Sequence, residues 1–82
     1  MDDGIYKATI ERITELLVKK DLTVSRLSYL SGVSESTIKS ILNGQSKNPG
    51  IVTLKKICDG LEITVGEFFK SPQFEKLEQE IK

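Results

Sequence analysis

Residues 30–34 read Leu-Ser-Gly-Val-Ser, and this junction limits the fold more than any other stretch of the chain. Apolar residues recur at helical spacing on both sides of it. Gly32 accepts a positive φ at little cost, which a sharp helix-to-helix turn demands. Ser34 is a strong N-cap, and Val33 with Ile38 forms a hydrophobic staple that fixes how the chain enters the next helix. Two short helices joined by a tight turn follow. The first starts at Thr23 as N-cap and turns Leu27 and Leu30 inward. The second runs over residues 34–43, buries Ile38, Ile41 and Leu42, and stops at Asn43-Gly44.

The rest of the chain is helical as well. No segment alternates apolar and polar residues for long, so the expected class is all-α. A first helix starts near Asp3 as N-cap and ends at about Lys20. Its inner stripe is Tyr6, Ile10, Ile13 and Leu17, widened by Leu16, and Lys19 and Lys20 complement its C-terminal dipole. A polar loop covers residues 45–49. A fourth helix over about residues 50–61 turns Leu54, Ile57, Cys58 and Leu61 inward. Thr64 and Glu67 have capping-box spacing, and Ile63 with Phe68 staples the same start of a fifth helix. Ser71-Pro72 breaks that helix and opens a last short one as N-cap and first-position proline. There Phe74, Leu77 and Ile81 share one face, with Glu75, Glu78 and Glu80 elsewhere.

Composition narrows the function. An 82-residue chain supports one core and buries only about 60–65% of its unfolded surface, so dimerisation would add stability. No apolar run approaches the ~18–20 residues that span a bilayer. The N-terminus is acidic and lacks an apolar signal-peptide core, so a cytoplasmic protein without membrane contact is expected. One cysteine and no histidine exclude an internal disulfide and a structural zinc site, so no metal is expected. Cys58 reads as a small core residue. No glycine-rich phosphate loop and no catalytic constellation is present, so neither an enzyme nor a cofactor is expected. The net charge is zero but polarised. Residues 19–56 carry seven basic and two acidic side chains, whereas residues 59–82 carry three basic and six acidic. Such a chain can turn one face to phosphates and the other away.

Residues 23–44, TVSRLSYLSGVSESTIKSILNG, and residues 49–69, PGIVTLKKICDGLEITVGEFF, resemble the lambda-repressor/Cro-like helix-turn-helix family, also called the xenobiotic-response-element family. The shared features are Leu27, the small Ser28, Gly32-Val33-Ser34, Ser36-Thr37-Ile38, Asn43-Gly44, Pro49, Thr53-Leu54, Lys56-Ile57, and the run from Val65 to Phe69. The resemblance implies a compact five-helix DNA-binding domain over residues 1–70, with its helix-turn-helix at 23–43 and a short C-terminal helical extension at 71–82. It implies a transcriptional regulator, usually a repressor and usually a homodimer, bound to double-stranded operator DNA. Three positions depart from the family pattern. Val24 stands where glutamine commonly braces the recognition helix and touches phosphate, so Val24 is given no DNA role. Ser28 replaces a common alanine. Glu62 occupies the glycine position after the fourth helix, while Gly60 lies inside that helix. Either that cap is strained, since a non-glycine residue in a left-handed cap costs about 1 kcal/mol, or it is built differently.

The family places the N-terminal part of the third helix in the major groove. By that resemblance Glu35, Ser36, Lys39 and Ser40 contact base edges. Lys39 can donate to guanine O6 or N7, Glu35 can accept from cytosine N4, and serine serves either role. Thr23, Ser34 and Thr37, at or near helix N-termini, and Asn43, Lys47 and Asn48 after the third helix, are the phosphate contacts. Arg26 is open to two readings, phosphate contact or surface ion pair. Phe69, Phe74, Leu77 and Ile81 form the candidate dimer face, unless the last helix simply closes its own core. The competing functions are a protein-interaction module on the same fold and an antitoxin-type partner protein.

Overall fold

The computed structural model describes residues 4–79 and 81. Its elements are α1 (Gly4–Lys19), α2 (Val24–Ser31), α3 (Glu35–Leu42), α4 (Ile51–Gly60), α5 (Val65–Phe69) and α6 (Pro72–Glu75). No strand occurs among the described residues, so the class is all-α. None of these helices is long and apolar enough to cross a membrane. The expected N-cap at Asp3 lies outside the described residues. One core joins Tyr6, Ile13, Leu16 and Leu17 of α1 to Leu27, Val33, Ile38, Ile41, Ile57, Cys58, Leu61 and Phe68. Ile10, Leu42 and Leu54 are only half-buried at its margin. Leu30 corrects the inward face read for α2: it is 42% exposed. Leu27 and half-buried Val24 and Ser31 supply that face instead.

Helices α1 and α4 stop by the same device. The Leu22 N–H donates to the Leu17 carbonyl (2.8 Å) and the Asp21 N–H to Val18 (3.1 Å). After α4, the Ile63 N–H donates to Cys58 (3.1 Å) and the Glu62 N–H to Asp59 (3.0 Å). This is the Schellman pattern, and it needs a left-handed residue at its corner. Asp21 (φ 57°) and Glu62 (φ 60°) fill that place. The strain expected at Glu62 is therefore present, and Asp21 carries a second instance.

Gly60 explains the displaced glycine. A Cβ on Gly60 would stand 2.8 Å from the Ser31 Cβ and 3.0 Å from both Leu27 Cδ1 and the Ser31 backbone nitrogen. The glycine is thus required where α4 crosses α2, two residues before the cap. The two positions should respond oppositely. Gly60→Ala forces helices apart and is expected to destabilise by about 1–2 kcal/mol, even though alanine is the better helix former. Glu62→Gly relieves the left-handed strain and is expected to stabilise by about 0.5–1 kcal/mol. Urea unfolding of the two variants checks both signs.

Helix α5 has only five residues, and both of its ends are tied. The capping box is complete: Thr64 Oγ1 accepts from the Glu67 N–H (3.0 Å), and Glu67 Oε1 accepts from the Thr64 N–H (2.9 Å). The Thr64 N–H first, and the Thr64 side chain second, hold the Glu67 carboxyl below the usual carboxylate range. At the other end, Arg12 of α1 donates Nε to the Phe68 carbonyl and Nη2 to the Glu67 carbonyl, each at 2.7 Å. Arg12 Nη1 also meets Glu15 Oε1 (3.2 Å), which accepts from Gln73 Nε2 of α6 (3.1 Å).

The C-terminal segment differs from the sequence reading. Helix α6 ends at Glu75, and residues 77–79 are not helical. The face of Phe74, Leu77 and Ile81 therefore does not form. Phe74 packs edge-on against Phe69 (4.9 Å between centroids) and near Phe68 (5.9 Å). Leu77 is half-buried, and Ile81 is 85% exposed. So short a helix has too few hydrogen bonds to propagate unless packing continues along it. Ser71 is the N-cap by position only. Its side chain makes no capping bond, and its buried Oγ has no partner.

Candidate nucleic-acid interface

The helix-turn-helix is built from local bonds that its sequence encodes. Thr23 Oγ1 accepts from the Arg26 N–H (3.0 Å) and opens α2. Gly32 (φ 77°) closes α2, with its N–H on the Ser28 carbonyl. Ser31 Oγ then accepts from the Val33 N–H (3.1 Å). Ser34 Oγ accepts from the Thr37 N–H (3.1 Å) and donates to Thr37 Oγ1 (2.9 Å). Helix α3 is thereby fixed at its start. Its end is fixed from α1: the Tyr6 hydroxyl donates to the Ile41 carbonyl across a buried 2.6 Å bond.

Ile38 (0% exposed) and Ile41 (1%) turn one face of α3 into the core. The opposite face is open. Glu35, Ser36, Lys39 and Ser40 line one shallow surface groove, joined by Asn43 and Gln45. All four side chains expected to read bases thus share one surface. Asn43, expected among the phosphate contacts, belongs to it as well. Gln45 is the residue that the sequence reading left in a featureless loop. The N–H groups of Gln45 and Ser46 both return to the Ser40 carbonyl (2.9 and 3.0 Å), and Asn43 Oδ1 accepts from the Gln45 N–H (3.3 Å). These bonds fold the chain back beside α3. Polar Asn43-Gly44-Gln45 after a recognition-type helix was the only sequence signal for it.

Glu35 and Lys39 are paired. Lys39 Nζ lies 3.4 Å from Glu35 Oε1 one turn away, with side chains 62% and 43% exposed. The Glu35 carboxyl is held below the usual carboxylate range, first by a hydrogen bond to the Ser25 side chain of α2 and second by Lys39. Ser25 is a second residue missed by sequence reasoning, because nothing local links it to α3. Arg26 does not settle into an ion pair with α3. Its guanidinium lies 5.0 Å from the Tyr29 ring centroid, a cation–π contact on the exposed face of α2.

The remaining expected contacts are not among the residues that line this groove. Thr23, Ser34 and Thr37 are exposed at the helix starts. Lys47 and Asn48 are exposed too, but they border a different cleft, with Ile5, Tyr6, Thr9, Pro49, Leu54 and Phe69. Among the described residues, no group of three His, Cys, Asp or Glu is placed to hold a metal ion.

Residues 4–73 match the model of the Cro/C1-type HTH DNA-binding domain. The chain belongs to this family. Its fold matches the crystal structure of prophage Lp1 protein 11 with a TM-score of 0.72 and 32% identity, covering 94% of this chain and 97% of that one. The HTH-type transcriptional repressor RghR of Bacillus subtilis is 33% identical over 70 residues, 84% of this chain and 52% of RghR. The HTH-type transcriptional regulator RghRB of the same organism is 36% identical over 53 residues, 65% of this chain and 38% of RghRB. The chain therefore spans about half, or less, of the length of these two relatives. In helix-turn-helix domains the second helix of the pair lies in the major groove, and α3 is the second helix of the pair here.

Proposed function

We propose that this chain is a sequence-specific DNA-binding transcriptional regulator, acting as a repressor in the cytoplasm. Helix α3 enters the major groove, about 12 Å wide, with Glu35, Ser36, Lys39 and Ser40 at base edges. The observation that carries this reading is the groove itself: four polar side chains on the face of α3 that the core leaves open, joined by Asn43 and Gln45 just after the helix. Asn43 and Gln45 extend the reading surface toward its C-terminal end. Asn and Gln suit adenine, which offers an acceptor and a donor side by side. Thr23, Ser34, Thr37, Lys47 and Asn48 flank it on phosphates. The repressor named RghR supports the sign of regulation.

Selection from random duplex DNA at about 0.1–0.15 M salt, where nonspecific phosphate binding is already weakened, tests the proposal. An enriched palindrome with half-sites about 34–36 Å apart is the expected result for a two-fold dimer. Binding that fades with salt and enriches nothing favours a protein-interaction module on the same fold, a reading that the substitution of Val24 for the family's glutamine supports. Lys47→Ala is expected to weaken all duplexes alike and to reduce the salt slope by about 0.9, one phosphate contact. Titrations at four salt concentrations measure it.

Dimerisation belongs to the same proposal. Of the residues read from the sequence as the dimer face, Phe69 and Phe74 pack edge-on against each other within the subunit. Leu77 is half-buried and Ile81 exposed. A second set of exposed apolar residues, Ile5, Ile51 and Val52, lies on α1 and α4, and Ile5 shares its cleft with Phe69. Sedimentation of Ile51→Asp and Ile81→Asp separates the two faces. The substitution that yields monomers marks the interface.

A further inference from the structure

The surface that would face the bases carries no net charge. Of its six lining residues, Lys39 is the only cation, Glu35 the only anion, and Ser36, Ser40, Asn43 and Gln45 are neutral. The cation and the anion are paired at 3.4 Å. An anion at this place is costly near DNA, because each phosphate repels it. The Ser25 side chain on α2 favours the charged form of Glu35, ahead of Lys39. Its order along the helix, Glu four residues before Lys, is the favourable one for such a pair.

Resting on the DNA-reading assignment above, we propose that Glu35 is a specificity-determining residue: it keeps Lys39 occupied, and gives it up only to a site that offers a partner to each. A cytosine amino group can donate to Glu35, and a guanine O6 or N7 can accept from Lys39. At such a site both charges exchange one partner for another. On any other sequence Lys39 reaches a base or phosphate only by leaving the Glu35 charge without its cation, facing the backbone. The pair therefore lowers affinity for random DNA more than for the right site. Ser25 is a positioning residue. It lies outside the groove, and it acts through Glu35, whose charged form it favours from α2.

The charge arithmetic gives a readout that a structural role would not move. Glu35→Gln keeps the shape of the side chain and removes its charge. It is expected to tighten binding to random duplex about 5–10-fold at 0.1 M salt. The salt slope on that duplex should steepen by about 0.9, because Lys39 then displaces one more counterion. Affinity for the selected site should rise less, so the ratio of specific to random binding falls about 5-fold or more. Ser25→Ala is expected to move the same quantities in the same direction by a smaller factor. Thermal melting of both variants reports whether the fold is kept. A wild-type chain that selects a site, with a folded Glu35→Gln protein whose random-duplex affinity and salt slope are unchanged, overturns this inference alone. A wild-type chain that selects no sequence overturns the DNA-reading assignment and the inference with it.

Discussion

Replacing Arg12 with alanine is expected to destabilise the domain by about 2–4 kcal/mol, since hydrogen bonds from a charged donor contribute about 1.5–3 kcal/mol each. Three consequences meet at this side chain. The carbonyls of Glu67 and Phe68 lose their partners, both at 2.7 Å. Glu15 loses one of its two bonds, keeping Gln73. The five-residue α5, which has no helical length of its own to rely on, loses its C-terminal tie. For a domain of this size the melting temperature falls about 4–8 °C per kcal/mol, so the drop is large enough to read in one thermal scan. Arg12→Lys should recover only part of it. An ammonium is a point donor, whereas the guanidinium spans two adjacent carbonyls at fixed geometry. Equal stability of Arg12→Lys and wild type would show that charge alone matters. A loss under 1 kcal/mol in Arg12→Ala would show that water satisfies the two carbonyls as well as arginine does.

Arg12 also marks the limit of what the sequence discloses. Devices closed within a few residues were legible: Thr23, Gly32, Ser34 and the Thr64–Glu67 box each use bonds spanning two to four positions, and all four occur as read. Contacts that join distant elements were not. Arg12 to Phe68 and Tyr6 to Ile41 span 56 and 35 residues, and neither leaves a local pattern. The same distinction explains the failures. Leu30 fits the helical spacing of an inner face, yet α4 crosses α2 at Leu27 and Ser31, leaving Leu30 42% exposed. Ile81 fits the spacing of a last helix, yet packing ends near Phe74 and the helix with it. The polar face of α3 was legible because its core face was: Ile38 and Ile41 fix the rotation of the helix, and 100° steps place the polar residues opposite. Gln45 escaped because a loop has no period from which its direction follows.

Lys39→Glu is the substitution expected to act most strongly on DNA. It removes the base donor with the longest reach on α3. It also sets a second carboxylate one turn from Glu35, on the surface that faces the groove. Losing a specific base contact costs about 1–3 kcal/mol, and like charges brought together at an interface cost several more. Affinity for the selected site should therefore fall more than about 100-fold, near 3 kcal/mol or beyond. Stability should move by less than about 0.5 kcal/mol, because the Lys39 side chain is 62% exposed. Lys55→Glu makes the same change in net charge on α4, outside the six groove residues. If general attraction to the duplex dominated, the two variants would lose affinity alike, and the steep loss would belong to charge rather than to position. A large loss for Lys39→Glu with a loss under about 5-fold for Lys55→Glu places α3 against the bases, since at 0.15 M salt a charge acts strongly only within about 8 Å.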